Sequence, residues 1–541
     1  MKRSRLLLIP GFALMAGLGY WLAGTAAPPV PPLEATKAPA PELRRTVIDE
    51  EMPKFRRGDR PEGKRGDYEA LTAGAFDGER VLVFRDADAL ADFLNRAGNQ
   101  IRVLGRLDAL NALRVGFDDY DDLASLLDGD EEESMIFPVN APPPLDGSVQ
   151  PGAMALGNGL LDWLGIGTDN SSWGNGVKVA VLDTGVSSHS SFQSSIRSIN
   201  FVDLPGDPSA QNGHGTAVAS VIIGSDSFTP GVAPGAEMIS VRIADDNGQS
   251  DSFLLAKGIV AAVDAGAKLI NISMGSFGDS ALVRNAIEYA SEGGALIVAA
   301  AGNNGLEKVA YPAANEGVIA VGGVDAAGNH LAFSNSGQSI DISAPGYGVN
   351  AAWVGDQAAS VNGTSFSAPI VTGALAALMT EGGGSKNLTA SEAWSLLSSH
   401  LNDGAAAGAD PQLGAGMPDI GRVLNSGTRG IYDAALASNR ILPPSAGNPY
   451  GQVEILVQNR GTETLINTSV EVSTGGGLVS TNLTTLPPGA VQTVRIPISQ
   501  PAVGGSSTLN VDSRVVLSGG ARDSKPSNDR RVERYVAAVP Q

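Results

Sequence analysis

A doubly wound parallel α/β sheet, set between a small α+β module and a C-terminal antiparallel β-sandwich, is the architecture predicted for this 541-residue sequence. Three observations predict it. From about 155 to 425, short runs without a polar face alternate with helix-length amphipathic stretches, the signature of strands buried on both faces and their crossover helices. Before them, residues 77–140 read in the order β-α-β-β-α-β. After them, 430–541 alternates apolar and polar residues between turn signals, as an antiparallel sheet with one wet face does.

The elements follow in order. Met1-Lys-Arg-Ser-Arg5 is basic, Leu6 to Ala23 is apolar, and Gly24-Thr-Ala-Ala27 is a run of small residues. Residues 1–27 are therefore expected to be an export signal, either cleaved or retained as a membrane tether through residues 6–24, giving a periplasmic or extracellular location. Residues 28–76, rich in Pro, Ala and charge without periodicity, are expected to form a linker. In the ferredoxin-like module, strands are predicted at Val81–Phe84, across Ile101–Phe117 and at Ser134–Val139, with helices at Ala87–Ala97 and Asp121–Leu127. The break Ala141-Pro-Pro-Pro144 ends it. In the central domain, strands are predicted at Val177–Leu182, Met238–Ile243, Leu269–Ile272, Ala295–Ala300 and Val318–Val321, with helices at Phe253–Ala265 and Ser280–Ser291. The last domain, with alternating strands such as Val453–Gln458 and Val491–Ile496, shows no constellation of titratable groups, and binding or spacing is expected of it.

Composition narrows the chemistry. A formal net charge of -20 argues against nucleic acid as the main partner, since phosphate binding needs a basic surface. With no cysteine, disulfides, thiolate metal sites and cysteine nucleophiles are excluded. Only four histidines, at 189, 214, 330 and 400, are available as a general base.

His214 stands apart, in Asn212-Gly-His-Gly-Thr216 at the start of a helix. Asp183 ends the buried run Val177–Leu182 and precedes Thr184-Gly185, placing a carboxylate where it can orient an imidazole. Asp-Thr-Gly also occurs in aspartic proteases, but no second copy is present to form their dyad. Ser365, in Asn362-Gly-Thr-Ser-Phe-Ser-Ala-Pro369, opens a helix through Ile370–Met379, whose N-terminal amides favour developing negative charge. A serine hydroxyl needs a base to act as nucleophile, and His214 with Asp183 meets that need. In Ala299-Ala-Ala-Gly-Asn-Asn-Gly305, Asn303 can aim an amide at an oxyanion, while Asn304 suits a turn of positive φ.

These four motifs, in the chain order Asp, His, Asn, Ser, resemble the subtilisin-like serine proteases over about 155–425, together with Gly231-Val-Ala-Pro-Gly235, Asn271-Ile-Ser-Met-Gly275, Ala344-Pro-Gly346 and Gly414-Ala-Gly-Met-Pro-Asp419. The resemblance implies a serine endopeptidase acting on polypeptides through an acyl-enzyme, with Asp183, His214 and Ser365 as triad and Asn303 in the oxyanion hole. It also implies that Ser273, Met274 and Gly275 line the substrate cleft by strand pairing. Residues 77–140 then become an inhibitor-like prodomain, a partner of its own enzyme, cut somewhere between Pro138 and Leu161. A monomer is expected, and no cofactor is required. The stretch Ser225–Pro230 is shorter than the family's frequent calcium loop and lacks its asparagines, so no calcium site is predicted there. Phe366 and Ile370 depart from the Met and His common in the family. The last domain resembles the immunoglobulin-like adhesion modules of bacterial secreted enzymes. A catalytically silent adhesion protein on a protease scaffold, and an esterase or ligase on the same triad, are the rival readings.

Overall fold

The computed structural model describes residues 74–129, 131–142, 150, 152–193, 195–202, 212–381, 387–442, 451–474, 477–498, 508–518 and 521–536. The export segment expected over 1–27, and all but the end of the linker expected over 28–76, lie outside the described residues. No helix among the described residues is long and apolar enough to cross a membrane.

The first module contains β1 (Glu79–Phe84), α1 (Ala87–Ala97), β2 (Arg102–Leu107), β3 (Ala112–Gly116), α2 (Tyr120–Ala124) and β4 (Glu131–Ser134). Its antiparallel sheet has the order β2-β3-β1-β4. Burial on both faces explains why β1 is apolar from Val81 to Phe84. Leu82 and Phe84 pack with Leu90 and Phe93 of α1, while Val81, on the other face, joins a core shared with the central domain. Asp86 caps α1 by accepting the Ala89 N–H at 2.8 Å.

The strand predicted over Ser134–Val139 is not one strand. β4 ends at Ser134, Met135-Ile136-Phe137 is buried, and a separate β5 (Pro138–Asn140) pairs outside the module. The apolar run is read correctly as buried, but what buries it is the central domain. A Cβ on Gly278 would fall 1.9 Å from the Phe137 ring, and Ser252 donates its N–H to Phe137 O at 2.9 Å. The helix predicted over Asp121–Leu127 shortens to α2.

The central domain opens with α3 (Leu160–Trp163), then β6 (Lys178–Asp183), β7 (Arg197–Asn200), α4 (His214–Ile223), β8 (Glu237–Arg242), β9 (Gln249–Asp251) and α5 (Ser252–Asp264). It continues through β10 (Leu269–Ile272), α6 (Ala281–Glu292), β11 (Leu296–Ala300), β12 (Val318–Val324), β13 (Ile342–Pro345), β14 (Val349–Trp353), β15 (Gln357–Val361), α7 (Thr364–Glu381), α8 (Ala390–Ser398) and α9 (Ile420–Asn425). Seven strands form one sheet in the order β13-β12-β11-β10-β6-β8-β7. Every pair in it is parallel. Val179 and Val181 face one core, with α4 and α7; Ala180 and Leu182 face the other, with α5 and α6. Both faces are covered, as the predicted α/β architecture requires. Residues 364–379 of α7 are all buried, which suits a helix apolar around its whole circumference. The chain runs outward from β6 to β8 and β7 on one side and resumes at β10 on the other. The strand order therefore reverses between β6 and β10, where open α/β sheets form their crevice.

The last part has a three-stranded sheet, β16 (Ala434–Leu442), β17 (Gln452–Asn459) and later β20, and a four-stranded sheet ordered β19-β18-β21-β22. The remaining ranges are β18 (Ser469–Ser473), β19 (Leu478–Asn482), β20 (Val491–Pro497), β21 (Thr508–Val516) and β22 (Arg530–Val536). Val453, Ile455, Val472, Val494 and Val511 share one core.

Contrary to expectation, titratable groups do gather here, against the central domain. Asp403, 5 % exposed, accepts N–H bonds from Gly404 and Gly408, yet burial raises its carboxyl to about 6. Burial lowers the Arg460 guanidinium to about 10, and it donates to Gln458 and to Asp403 O. Asp529 is raised to about 6, first by burial and then by Asp523 and Asp433. Asp403 and Arg460 tie two domains together, while the partners of Asp529 lie within the last one. Their linkage has a definite sign: a carboxyl whose folded pKa exceeds its unfolded value of 3.8 binds protons more tightly when folded. Stability is thus greatest below about pH 4 for this group and falls as pH rises through about 6, by about 3 kcal/mol for a shift of about two units. In a Ser365→Ala background, to prevent self-digestion, unfolding of the junction should shift to higher temperature from pH 7 to pH 5. Asp403→Asn should remove much of that shift, leaving the share due to Asp529; an unchanged pH slope by calorimetry would contradict the assignment.

Candidate active site

Asp183 emerges from the carboxyl end of β6, and His214 begins α4 across the crevice. His214 Nδ1 lies 2.8 Å from Asp183 Oδ1 and 3.0 Å from Oδ2. A carboxylate only accepts, so Nδ1 carries the proton and the neutral imidazole presents Nε2 as a base. Both side chains are buried, and Thr184 N–H donates to Asp183 Oδ1 at 2.8 Å. Asn212 Oδ1 accepts the His214 N–H at 2.9 Å, fixing the entry to the helix. The glycines beside His214 are sterically required. A Cβ at Gly213 would meet the Trp353 indole at 2.2 Å, and one at Gly215 would meet Gly185 O at 2.4 Å. Phe366 packs its ring 5.5 Å from the His214 ring, and Ile370 is wholly buried, so both departures from the family pattern are filled core positions.

Ser365 lies in the first turn of α7, whose amides lack intrahelical acceptors. Its hydroxyl donates to Ser273 O at 3.0 Å, and His214 Nε2, buried, has no hydrogen-bond partner. The predicted row of three is therefore joined at its Asp–His link, while the serine is turned to Ser273. Ser273 also donates its own hydroxyl to Ser365 O at 2.7 Å. The reason is Pro369: with no N–H, it cannot bond the carbonyl four residues back, and that carbonyl is Ser365 O. Asn271 donates to Ser273 Oγ at 2.9 Å and Thr372 donates to Asn271 Oδ1 at 2.9 Å, extending the support into the core.

Asn303 follows β11. Its Oδ1 accepts from both the N–H and the hydroxyl of Thr364, each at 2.8 Å. That leaves Nδ2 as the free donor, close to Gly363, where a Cβ would lie 3.0 Å from it. The positive φ values belong to Gly302 and Gly305, so neither Asn303 nor Asn304 acts as the left-handed turn residue. Thr364 was not singled out in the sequence, although its place between Gly363 and Ser365 is the signal for it. Asn303→Ala should lower kcat by about 10²–10³ with little change in KM, the range for losing one oxyanion donor in subtilisin itself; steady-state kinetics checks it.

Of the predicted cleft residues, Gly275 pairs its main chain with Asn140, Ser273 meets Ser365, and Met274 buries its side chain in the core. The opposite wall was missed in sequence. β9 pairs antiparallel with β5, with Val139 opposite Ser250 and Asn140 opposite Gln249, and Gly248 O accepts the Ala141 N–H at 2.8 Å. Gly248, at φ +76 in a turn rich in Asp and Asn, is the trace it leaves in the sequence. Among the described residues, no group of three or more His, Asp or Glu could hold a metal ion.

With this geometry in view, the comparisons with known proteins are specific. The profile of the Subtilase family (peptidase S8) matches residues 174–416. Subtilisin BL from Lederbergia lenta is 42% identical over 208 residues, which are 38% of this chain and 76% of that protein. A thermostable alkaline protease from Halalkalibacterium halodurans is 39% identical over 206 residues, 38% of this chain and 57% of that protein. The crystal structure of the epidermin leader peptide processing serine protease of Staphylococcus aureus covers 65% of this chain and 99% of its own, with 20% identity and a TM-score of 0.53, a likeness of fold. Shared sequence over the domain that carries Asp183, His214, Asn303 and Ser365 places this chain in the subtilase family.

Proposed function

We propose that the chain is an exported serine endopeptidase that hydrolyses peptide bonds in extended polypeptide segments through an acyl-enzyme. One observation carries this reading: the imidazole held by Asp183 and the hydroxyl of Ser365 flank a crevice in which a peptide strand already pairs with Gly275 and Gly248. Ser365 Oγ attacks the carbonyl, and His214 Nε2 takes its proton and hands it to the leaving nitrogen. Asp183 fixes the imidazole and stabilises its charged form. Asn303 Nδ2 and the Ser365 N–H receive the oxyanion. The hydroxyl turns from Ser273 to His214 when substrate binds, since catalytic hydrogen bonds often form only in the complex. The reaction uses no cofactor, and the working form is a monomer.

Residues 77–140 serve as a prodomain that occupies the cleft, and the chain is cut within 138–161. Support comes from β5 lying in the crevice and from the Arg114–Asp251 ion pair, 2.7 Å, at the cap of α5. The basic and apolar N-terminus supports export, and the relatives' names, subtilisin and alkaline protease, support peptidase activity. A fluorophosphonate probe should label Ser365 once the cleft is vacated, and cleavage of peptide more than ester substrates should follow. A probe-inert but folded protein would favour the adhesion scaffold instead.

A further inference from the structure

One hairpin touches the chain beside all three members of the triad. The two-stranded sheet β14–β15 pairs Val349 with Val361 at its base and Trp353 with Gln357 near its tip. β15 leads through Asn362 and Gly363 directly into the helical turn of Ser365. On the other strand, Ala352 donates its N–H to Ser220 Oγ of α4 at 2.9 Å, and the Trp353 indole lies on Gly213, the residue before His214. The tip is fastened to the loop that leaves Asp183. There the Ser190 N–H donates to Asp356 Oδ1 at 2.8 Å, and His189 Nε2 lies 2.8 Å from Gln357 O.

These contacts fix the form of His189. The Ser191 N–H approaches Nδ1 at 3.1 Å, and an amide only donates, so Nδ1 is the acceptor. A carbonyl only accepts, so Nε2 carries the proton and donates it to Gln357 O. The side chain is 5% exposed and its ring packs 5.7 Å from that of Phe192, which keeps water from replacing either bond. His189 thus spans a set distance between the Asp183 loop and the strand that delivers Ser365, while its own hydrogen bonds reach no triad side chain.

We infer, resting on the peptidase reading, that His189 is a positioning residue for the reaction: by bonding Gln357 it sets where the hairpin, and through it Ser365, stands against His214. The need for such a brace is visible at the centre of the site. His214 Nε2 has no partner and Ser365 points to Ser273, so no direct bond holds base and nucleophile in register. Their separation is left to the backbones that carry them, and the hairpin spans the two. Proton transfer during attack is sensitive to that separation, since a displacement of about 1 Å can cost about 10²-fold in rate. Binding is spared, because the rims at Gly248 and Gly275 belong to the turns after β8 and β10.

Three substitutions separate positioning from packing. Glutamine places an N–H where Nε2 stands, asparagine places an acceptor where Nδ1 stands but is too short to reach Gln357, and leucine does neither. Full-length chains are compared on a peptide substrate, with kcat referred to the sites that a fluorophosphonate titrates. His189→Leu and His189→Asn should each lose about 10- to 10²-fold in kcat with KM within about threefold of wild type. His189→Gln should return kcat to within about threefold of wild type. Thermal unfolding of the same samples reports the fold, and if His189→Leu does not fold, the asparagine and glutamine variants alone decide. The proposal is overturned if His189→Asn keeps wild-type kcat, if its loss appears in KM alone, or if His189→Gln loses as much or fails to fold. A wild type that neither labels nor cleaves overturns the peptidase reading as well, so the two failures are distinguishable.

Discussion

Ser365→Ala is expected to lower kcat on a peptide substrate by about 10⁶, as loss of the nucleophile does in subtilisin, while the protein remains folded. The size follows from what the hydroxyl does. Without Ser365 Oγ no acyl-enzyme forms, and water must attack a carbonyl held only by the cleft and the oxyanion donors, which together retain about 10³–10⁴ over the uncatalysed rate. The fold should tolerate the change. The Ser365 side chain makes one hydrogen bond, to Ser273 O, whereas Ser365 O keeps its bond from the Ser273 hydroxyl whatever side chain stands at 365. Loss of about one neutral hydrogen bond costs about 1 kcal/mol. Active-site titration, peptide turnover and thermal unfolding on the same preparation separate the two effects; residual turnover within tenfold of wild type would remove Ser365 from the mechanism.

The second large effect is Asp183→Asn, for which a loss of about 10⁴ in kcat near neutral pH is expected. Asp183 accepts from His214 Nδ1 and from the Thr184 N–H, and both partners are donors. An asparagine has one oxygen for two donors. If that oxygen stays with the Thr184 amide, the new NH₂ faces the imidazole and selects the tautomer with its proton on Nε2, useless as a base. The burial of both groups prevents water from restoring the lost acceptor. Turnover across pH should expose this: activity recovers at high pH, where hydroxide replaces the missing base, and a flat tenfold loss at all pH values would point to a structural cause instead.

The sequence shows the parts of this site better than their partnerships. Asp183, His214, Asn303 and Ser365 each end a buried run or open a helix and are set among glycines whose close contacts, such as Gly215 against Gly185, leave a clear pattern. The parallel sheet is legible for the same reason: strands covered on both faces have no polar positions. What the pattern does not reveal is contact across long separations. The bond from the Ser273 hydroxyl to Ser365 O follows from a proline four residues on, which leaves no periodicity. Met135-Ile136-Phe137 reads as strand because hydrophobicity reports burial without naming the neighbour. The charged junction around Asp403 and Arg460 is invisible because its members lie in turns and strands far apart in the chain, and each resembles an ordinary surface residue.

The two rims of the crevice, at Gly248 and Gly275, hold the strand lying there by its amides and carbonyls, while Val139 and Ala141 bury their side chains against the central domain. Such a groove grips a chain that can be drawn out flat, and rejects helices and tight turns. A compact globular target thus becomes vulnerable only at the rate and place where it transiently loosens. Resistance of a folded target to such a groove would accordingly track that target's local opening equilibrium.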